Sequence, residues 1–445
     1  ARVIASHLQS FKEERALLLY HSGIEFITAF FGCLYAGVIA VPVYPPRRNQ
    51  KLSRLLAIVN DAQPKVALTN TSILTDIEQK WTNDAQLAQL KLVATDIIES
   101  QKKDFIPITP TSDSLAFLQY TSGSTGNPKG VMVTHGNIIH NQEIIKTAFG
   151  HSDKSIGVGW LPLFHDMGLI GHVLQPIYVG FPSILMPPVA FLQKPIRWLK
   201  AISKYKATTS GGPNFAYDLC VKKIQPEELD NLDLSCWDLA FNGAEPLRAE
   251  TLEQFSQKFA ACGFNKDAFL PCYGMAETTL FTTGGSKNKS PVIQGVKASD
   301  LEQNLVVETE ISSPESRVFV GCGHSCMDTN IMIVNPDSLT RCSSKQVGEI
   351  WISSDSVAAG YWNRSEATKE TFQAYTKDTG NGPFLRTGDL GFLKNGELFV
   401  TGRLKDLIII RGRNYYPQDI ELTVENTHPC LRTNCSAAFT VEIEG

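Results

Sequence analysis

The chain has 445 residues, 43% hydrophobic and 19% charged, with 41 basic against 45 acidic side chains for a net charge of -4. At roughly 150 residues per domain it is too long for one small module, and it is too apolar for a disordered chain. The absence of a positive excess argues against nucleic acid or an anionic membrane surface as a partner.

The opening helical pattern over 3–11 begins abruptly, which predicts that upstream sequence is missing. Short apolar runs bounded by turn residues then predict strands at 17–20, 38–43, 65–69, 115–120, 183–186 and 239–242. Between them, helical patterns fall at 24–36, 51–62, 138–149, 195–205 and 249–261. This alternation predicts an α/β fold with parallel-rich sheets covered by helices. Two uncharged stretches, 26–46 and 167–193, do not read as membrane spans, because Gly37 and Pro42 break the first and Pro176, Gly180, Pro182, Pro187 and Pro188 break the second. No signal-peptide pattern precedes them. Residues 286–317 carry nine charges in 32 positions and predict a solvated insertion rather than core. From residue 318 the texture becomes β-rich, with strands at 330–334, 348–352 and, after an Asn395-Gly396 turn, 398–402. The ten cysteines are too sparse and irregular for a disulfide framework, which fits a reducing, cytoplasmic setting. Cys322, His324 and Cys326 fall short of a zinc pattern, lacking paired Cys-x-x-Cys spacing and a fourth ligand.

The most informative segment is Tyr120-Thr121-Ser122-Gly123-Ser124-Thr125-Gly126-Asn127-Pro128-Lys129-Gly130, directly after an apolar strand. Glycines let backbone curl round an anion, hydroxyls donate to phosphate oxygens and Lys129 adds a charge. It is not a Walker loop, since Pro128 stands where the second glycine belongs, and no Gly-x-Gly-x-x-Gly occurs.

This string resembles the phosphate-binding loop of the adenylate-forming superfamily, which contains acyl-CoA synthetases, nonribosomal adenylation domains, luciferases and fatty acyl-AMP ligases. Tyr273-Gly274-Met275-Ala276-Glu277-Thr278 resembles its adenylate motif, and Gly243-Ala244-Glu245-Pro246 its adenine-contacting segment. By that resemblance Glu277 binds magnesium, Thr278 meets the phosphates and Tyr273 stacks on adenine. Arg386-Thr387-Gly388-Asp389 resembles the ribose clamp, and Gly402-Arg403-Leu404-Lys405-Asp406 the boundary between large and small domains, with Arg403 on the nucleotide and Lys405 at the hinge. The resemblance covers essentially the whole chain. It implies a large domain at 1–402 including a β-rich subdomain at 318–402, a hinge at 403–406 and a partial C-terminal domain at 407–445.

The same resemblance implies an acyl site lined by Trp160, Phe164, His165, Asp166, Met167 and Gly168, with Gly212, Phe215 and Met275. Amino-acid-activating members usually place an aspartate just after the stretch equivalent to 208–215, where this chain has no acid before Asp218. A fatty acid fits better. The wording of 160–171, Tyr44-Pro45-Pro46 and Gly211-Gly212-Pro213-Asn214 is similar to fatty acyl-AMP ligases, whose insertion falls in the region of 286–317 and disfavours transfer to coenzyme A. The expected reaction is ATP- and magnesium-dependent formation of fatty acyl-AMP, with Thr121, Lys129, Glu277 and Lys405 as catalytic groups and an acyl carrier protein, conceivably on the same polypeptide, as acceptor. The alternatives are a fatty acyl-CoA synthetase and, from another class, a non-catalytic acyl- or nucleotide-binding module. Members carry a late lysine that reaches the α-phosphate, and none follows Lys405, so a truncated small domain and a slowed adenylation are expected.

Overall fold

The computed structural model describes residues 1–46, 52–85, 87–98, 106, 108–121, 128–410, 413–425, 427–428, 430–431 and 435–441. They fall into two units, Ala1–Ser210 with Gly274–Phe281 and Ser354–Phe372, and Gly211–Tyr273 with Thr282–Ser353 and Gln373–Gly445.

In the first unit, strands β1 (Arg15–Leu19), β2 (Ile39–Val43), β3 (Val66–Thr69), β4 (Lys91–Ala94), β5 (Leu115–Thr121) and β6 (Lys129–Thr134) form a sheet in the order β4-β3-β1-β2-β5-β6. All pairings are parallel except the β5–β6 hairpin. Parallel strands buried on both faces read as continuous apolar runs, and every residue of β2 is buried. The helices α1 (Arg2–Leu8), α2 (Ile24–Ala36), α3 (Ser53–Ala62), α4 (Thr71–Thr82) and α5 (His135–Phe149) connect or follow them. Thr134 and Asn137 close a reciprocal capping box at the start of α5, and Gly150, at φ 60°, ends it. Further on, β7 (Gly157–Gly159) pairs in parallel with β8 (Ser183–Leu185) and β9 (Thr209–Gly212).

The uncharged run around 167–193 becomes a π-helical stretch, Met167–Leu174, then α6 (Gln175–Val179), β8 and α7 (Pro188–Gln193), followed by α8 (Ile196–Tyr205). No helix among the described residues is long and apolar enough to cross a membrane. His172 is buried in the π-helical stretch, against Gly159, where an added Cβ would come within 2.6 Å of its Cγ. Burial lowers its pKa from 6.5 to about 4. Because the folded state then binds fewer protons than the unfolded one, stability is full above pH 6.5 and is lost as pH falls towards 4. Urea unfolding should show a loss on the order of 2 kcal/mol at pH 5 relative to pH 7.5 from this group, and His172→Gln should remove that share of the slope.

In the second unit, α9 (Asn214–Lys223) and α10 (Ala249–Phe259) accompany the parallel pair β10 (Leu239–Asn242) and β11 (Phe269–Tyr273). Antiparallel β12 (Thr283–Gly284) and β15 (His324–Ser325) extend that pair. Tyr217, Trp237, Phe255, Phe264 and Phe269 interlock largely edge to face beneath it, and the Tyr217 hydroxyl and Trp237 indole donate to the carbonyls of Phe241 and Leu239 at 2.8 and 2.9 Å. The hairpin of β13 (Ile293–Lys297) and β14 (Ser316–Val320), with α11 (Ala298–Leu301) between, precedes the antiparallel sheet β16 (Asn330–Val334), β17 (Gly348–Ser353), β18 (Leu385–Lys394) and β19 (Glu397–Arg403). Helix α12 (Ser365–Phe372) belongs to the first unit, although it lies within the β-rich span of sequence.

Most of 286–317 is exposed or half-buried, and a few of its apolar residues reach the core. Val296, Leu301 and Val306 are buried in one cluster with Phe319, Phe392 and Phe399. The rest of the segment stays largely exposed, Val292, Leu305, Val307 and Ile311 among it. It also grips the chain that follows β19. Arg317 lies 4.2 Å from the ring of Tyr416 and pairs with Asp419 at 2.7 Å, and the Asn414 amide N–H donates to the Glu302 carbonyl at 3.0 Å. These partners fix the short hairpin β20 (Ile408–Ile410) and β21 (Arg413–Tyr415) and helix α13 (Pro417–Glu425). Cys322 is buried, and the His324 imidazole sits 3.1 Å from the Glu397 carboxylate.

Candidate active site

Thr121 and Lys129 pair across the β5–β6 hairpin, the last residue of one strand opposite the first of the other. Ser122, Gly123, Ser124, Thr125 and Gly126 lie outside the described residues. The Lys129 ammonium stands 4.5 Å from the centroid of the Tyr361 ring. The Tyr361 hydroxyl donates to Glu277 Oε1 at 2.8 Å. One tyrosine therefore joins the lysine of the loop to the acid of the adenylate motif within the first unit.

The adenylate motif is tightly folded. A Cβ on Gly274 would come within 1.7 Å of the Leu280 carbonyl oxygen, so only glycine fits there. Ala276 and Glu277 are buried, the Thr278 hydroxyl donates to the Met275 carbonyl at 3.0 Å, and Thr279 has φ 69°, a strained value for a β-branched residue. The fully buried Asn141 of α5 holds this turn, donating to the carbonyl of Phe281 at 2.8 Å and accepting from its N–H at 3.2 Å. Asn141→Ala would leave those backbone groups without their side-chain partner and should cost about 2–3 kcal/mol in urea unfolding, with ATP affinity reduced in step.

In the 160–168 segment of the first unit, the Trp160 ring stacks on Phe191 at 4.0 Å and is 2% exposed, packed as a core aromatic. Phe164 meets Tyr44 edge to face at 5.3 Å and its carbonyl accepts from Gln119 at 3.0 Å. His165 pairs with Asp166 at 2.5 Å, and the adjacent carboxylate raises the imidazole pKa above its ordinary value. Asp166 also accepts from the Met167 N–H at 2.7 Å, capping the π-helical stretch. Gly168 packs so closely that a Cβ would lie 2.1 Å from the Pro162 carbonyl oxygen.

The second unit gathers another set. Asp389, 9% exposed, accepts from the Tyr273 hydroxyl at 2.7 Å and pairs with Arg403 Nε at 3.2 Å. Burial raises its pKa, against the opposing pull of Arg403 and Tyr273. A carboxylate offers about four lone-pair sites, so these two contacts leave acceptor capacity for ribose hydroxyls. Glu245 accepts from the Phe215 N–H at 2.5 Å, and burial raises its pKa. Ala244 has φ 69°, and a Cβ on Gly243 would approach the Cys272 carbonyl oxygen to 2.8 Å. Gly212 ends β9, and Lys405 lies in the turn after β19. Burial pushes the Cys272 thiol up to about 12, so it stays protonated and is no acyl-accepting nucleophile at neutral pH.

Tyr361 and Asn141 are the residues that sequence reasoning missed. Asn141 is one of three buried amides of α5, with Asn137 and Gln142, so the sequence does not single it out; Tyr361 had only its Gly360-Tyr361 neighbourhood, where Gly360 takes φ 131°.

Residues 1–362 match the family described as AMP-binding enzyme. The chain is 49% identical over 459 residues to medium-chain-fatty-acid–[acyl-carrier-protein] ligase JamA of Moorena producens, covering 100% of this chain and 77% of that protein. It is 36% identical to the corresponding ligase TtuA of Teredinibacter turnerae, over 100% of this chain and 76% of that one. Among solved structures, the fatty acyl-adenylate ligase of L. pneumophila in complex with acyl adenylate and pyrophosphate superposes with a TM-score of 0.85 at 46% identity, covering 96% of this chain and 74% of that one. The Lys129–Tyr361–Glu277 set of the first unit, the Tyr273–Asp389–Arg403 set of the second and these similarities together place the chain in the AMP-binding enzyme family, in its fatty acyl-AMP ligase branch.

Proposed function

We propose that the protein joins a fatty acid to ATP as fatty acyl-AMP, releasing pyrophosphate, and then passes the acyl group to the phosphopantetheine thiol of an acyl carrier protein. The observation that carries this reading is the meeting of Lys129 and Glu277 on Tyr361 at the base of the loop. An oxygen of the fatty carboxylate attacks the α-phosphorus, and the bond from that phosphorus to the bridging oxygen of pyrophosphate breaks. Lys129 offers a positive charge to the triphosphate, and the hydroxyls of 121–125 would supply donors. Glu277 fits a hard divalent cation, because its buried carboxylate offers oxygen ligands. Magnesium bound there would neutralise charge on the departing pyrophosphate. Asp389 would hold the ribose and Tyr273 the adenine, with Arg403 on the nucleotide.

A medium-chain fatty acid is the expected substrate because the two ligases named above carry that description, and their names also specify a carrier protein as acceptor. The grip of Arg317 and Glu302 on the chain beyond β19 supports the same acceptor, since it restrains the segment that must swing for thioester formation. We take 403–406 as the hinge, with Lys405 at its centre, and the cytoplasm as the setting. The test is fatty-acid-dependent exchange of labelled pyrophosphate into ATP. Exchange that rises with decanoic acid is expected, and nucleotide binding without any exchange, even with a relative's lysine-bearing segment appended, would overturn the reading.

A further inference from the structure

We propose that Tyr361 is a positioning residue for adenylation, setting the Lys129 ammonium and the Glu277 carboxylate at the separation that a magnesium-bound triphosphate requires. The inference rests on the roles proposed for those two residues and adds a third that neither family motif contains.

The side chain is held from every side. Its backbone forms an antiparallel bridge with Val131, while the Trp362 N–H donates to Gly130 and the Ala359 N–H to Met132, at 2.8 and 3.0 Å. Residues 359–362 thus run along β6 and deliver the ring to Lys129, the first residue of that strand. On the other side, the Ala358 N–H donates to the Glu277 carbonyl at 2.9 Å. Gly360 is required by close approach as well as by its φ, because a Cβ there would meet Thr368 Cγ2 at 2.3 Å. The ring rests edge-on against Phe372 at 5.0 Å and is 6% exposed.

Each contact has a chemical consequence. The phenol hydrogen bond fixes one oxygen of the Glu277 carboxylate and so sets the plane in which the group meets a cation. Burial, and then the neighbouring carboxylate, raise the phenol pKa, so the hydroxyl remains a donor throughout the working range. The ring face attracts the ammonium electrostatically and so holds it on the same side chain that anchors the acid. A tyrosine that only filled space would do neither.

Two substitutions separate the contributions. Tyr361→Phe keeps the ring under Lys129 and removes the hydrogen bond to Glu277; Tyr361→Leu removes both. Calorimetric titration of ATP at increasing magnesium should show the half-saturating magnesium concentration rising roughly tenfold in Tyr361→Phe, with thermal stability close to that of the parent protein. Tyr361→Leu should show the same rise and in addition weaker ATP binding at saturating magnesium. An unchanged magnesium requirement in Tyr361→Phe would overturn the proposal, as would losses in both variants that follow their thermal stability alone. Glu277→Gln, run beside them, keeps the two readings apart. If Glu277→Gln abolishes the magnesium dependence and Tyr361→Phe leaves it intact, only the role of Tyr361 fails; if Glu277→Gln also binds magnesium-ATP like the parent, the site assignment beneath it fails.

Discussion

Glu277→Gln should lower fatty-acid-dependent pyrophosphate exchange by about 10²- to 10³-fold, the scale seen when one positioned electrostatic group is removed from a site of developing charge. The substitution preserves shape and acceptor oxygen, so the hydrogen bond from Tyr361 persists and the loss isolates the negative charge. Lys129→Met should produce a loss of similar size by removing the opposite charge. Because both residues act on one triphosphate, the double variant should fall by much less than the product of the single losses. Steady-state exchange at saturating ATP and decanoic acid measures all three, and a fall under tenfold in either single variant would deny that residue its role.

Asp389→Ala should weaken ATP binding by roughly 10- to 100-fold, because it removes an acceptor from the ribose and from the buried Tyr273 hydroxyl. Asp389→Asn retains one acceptor oxygen and should lie between. The ionised carboxylate is the better acceptor, and burial raises its pKa. Nucleotide affinity should accordingly be lost as pH falls through that raised value, sooner than an exposed aspartate would permit. Calorimetric titration across pH, with Asp389→Asn as the insensitive control, checks the sign.

Legibility in the sequence followed locality. Helix α2 and strands β10 and β16 were read to the residue because turn signals flank them closely. Strand β1 begins two residues earlier than the apolar run suggests, since Arg15 places its guanidinium on the carbonyls of Ala62 and Gln63 rather than in solvent. Helix α5 likewise begins at His135, ahead of the apolar pattern, because the Thr134 and Asn137 capping box defines its start. Charge density concealed the core role of Val296 and Leu301, which depends on which face each residue takes and not on average composition.

The site divides in the same way. Lys129, Glu277 and Asp389 lie in strings that resemble the family's motifs, and that resemblance marks them in the sequence. The groups that hold them do not. Tyr361 reaches Glu277 across 84 positions and Asn141 reaches Phe281 across 140, and nothing local marks either contact. A periodicity or motif reports what a residue's neighbours in sequence require, whereas these side chains answer to partners that only folding supplies.

The most direct measurement gives the protein ATP, magnesium and decanoic acid with equimolar coenzyme A and phosphopantetheinylated carrier protein, and follows the products by mass spectrometry. The account predicts decanoyl-AMP followed by decanoyl carrier protein, with little decanoyl-coenzyme A. Accumulation of decanoyl-coenzyme A with an unmodified carrier would contradict it.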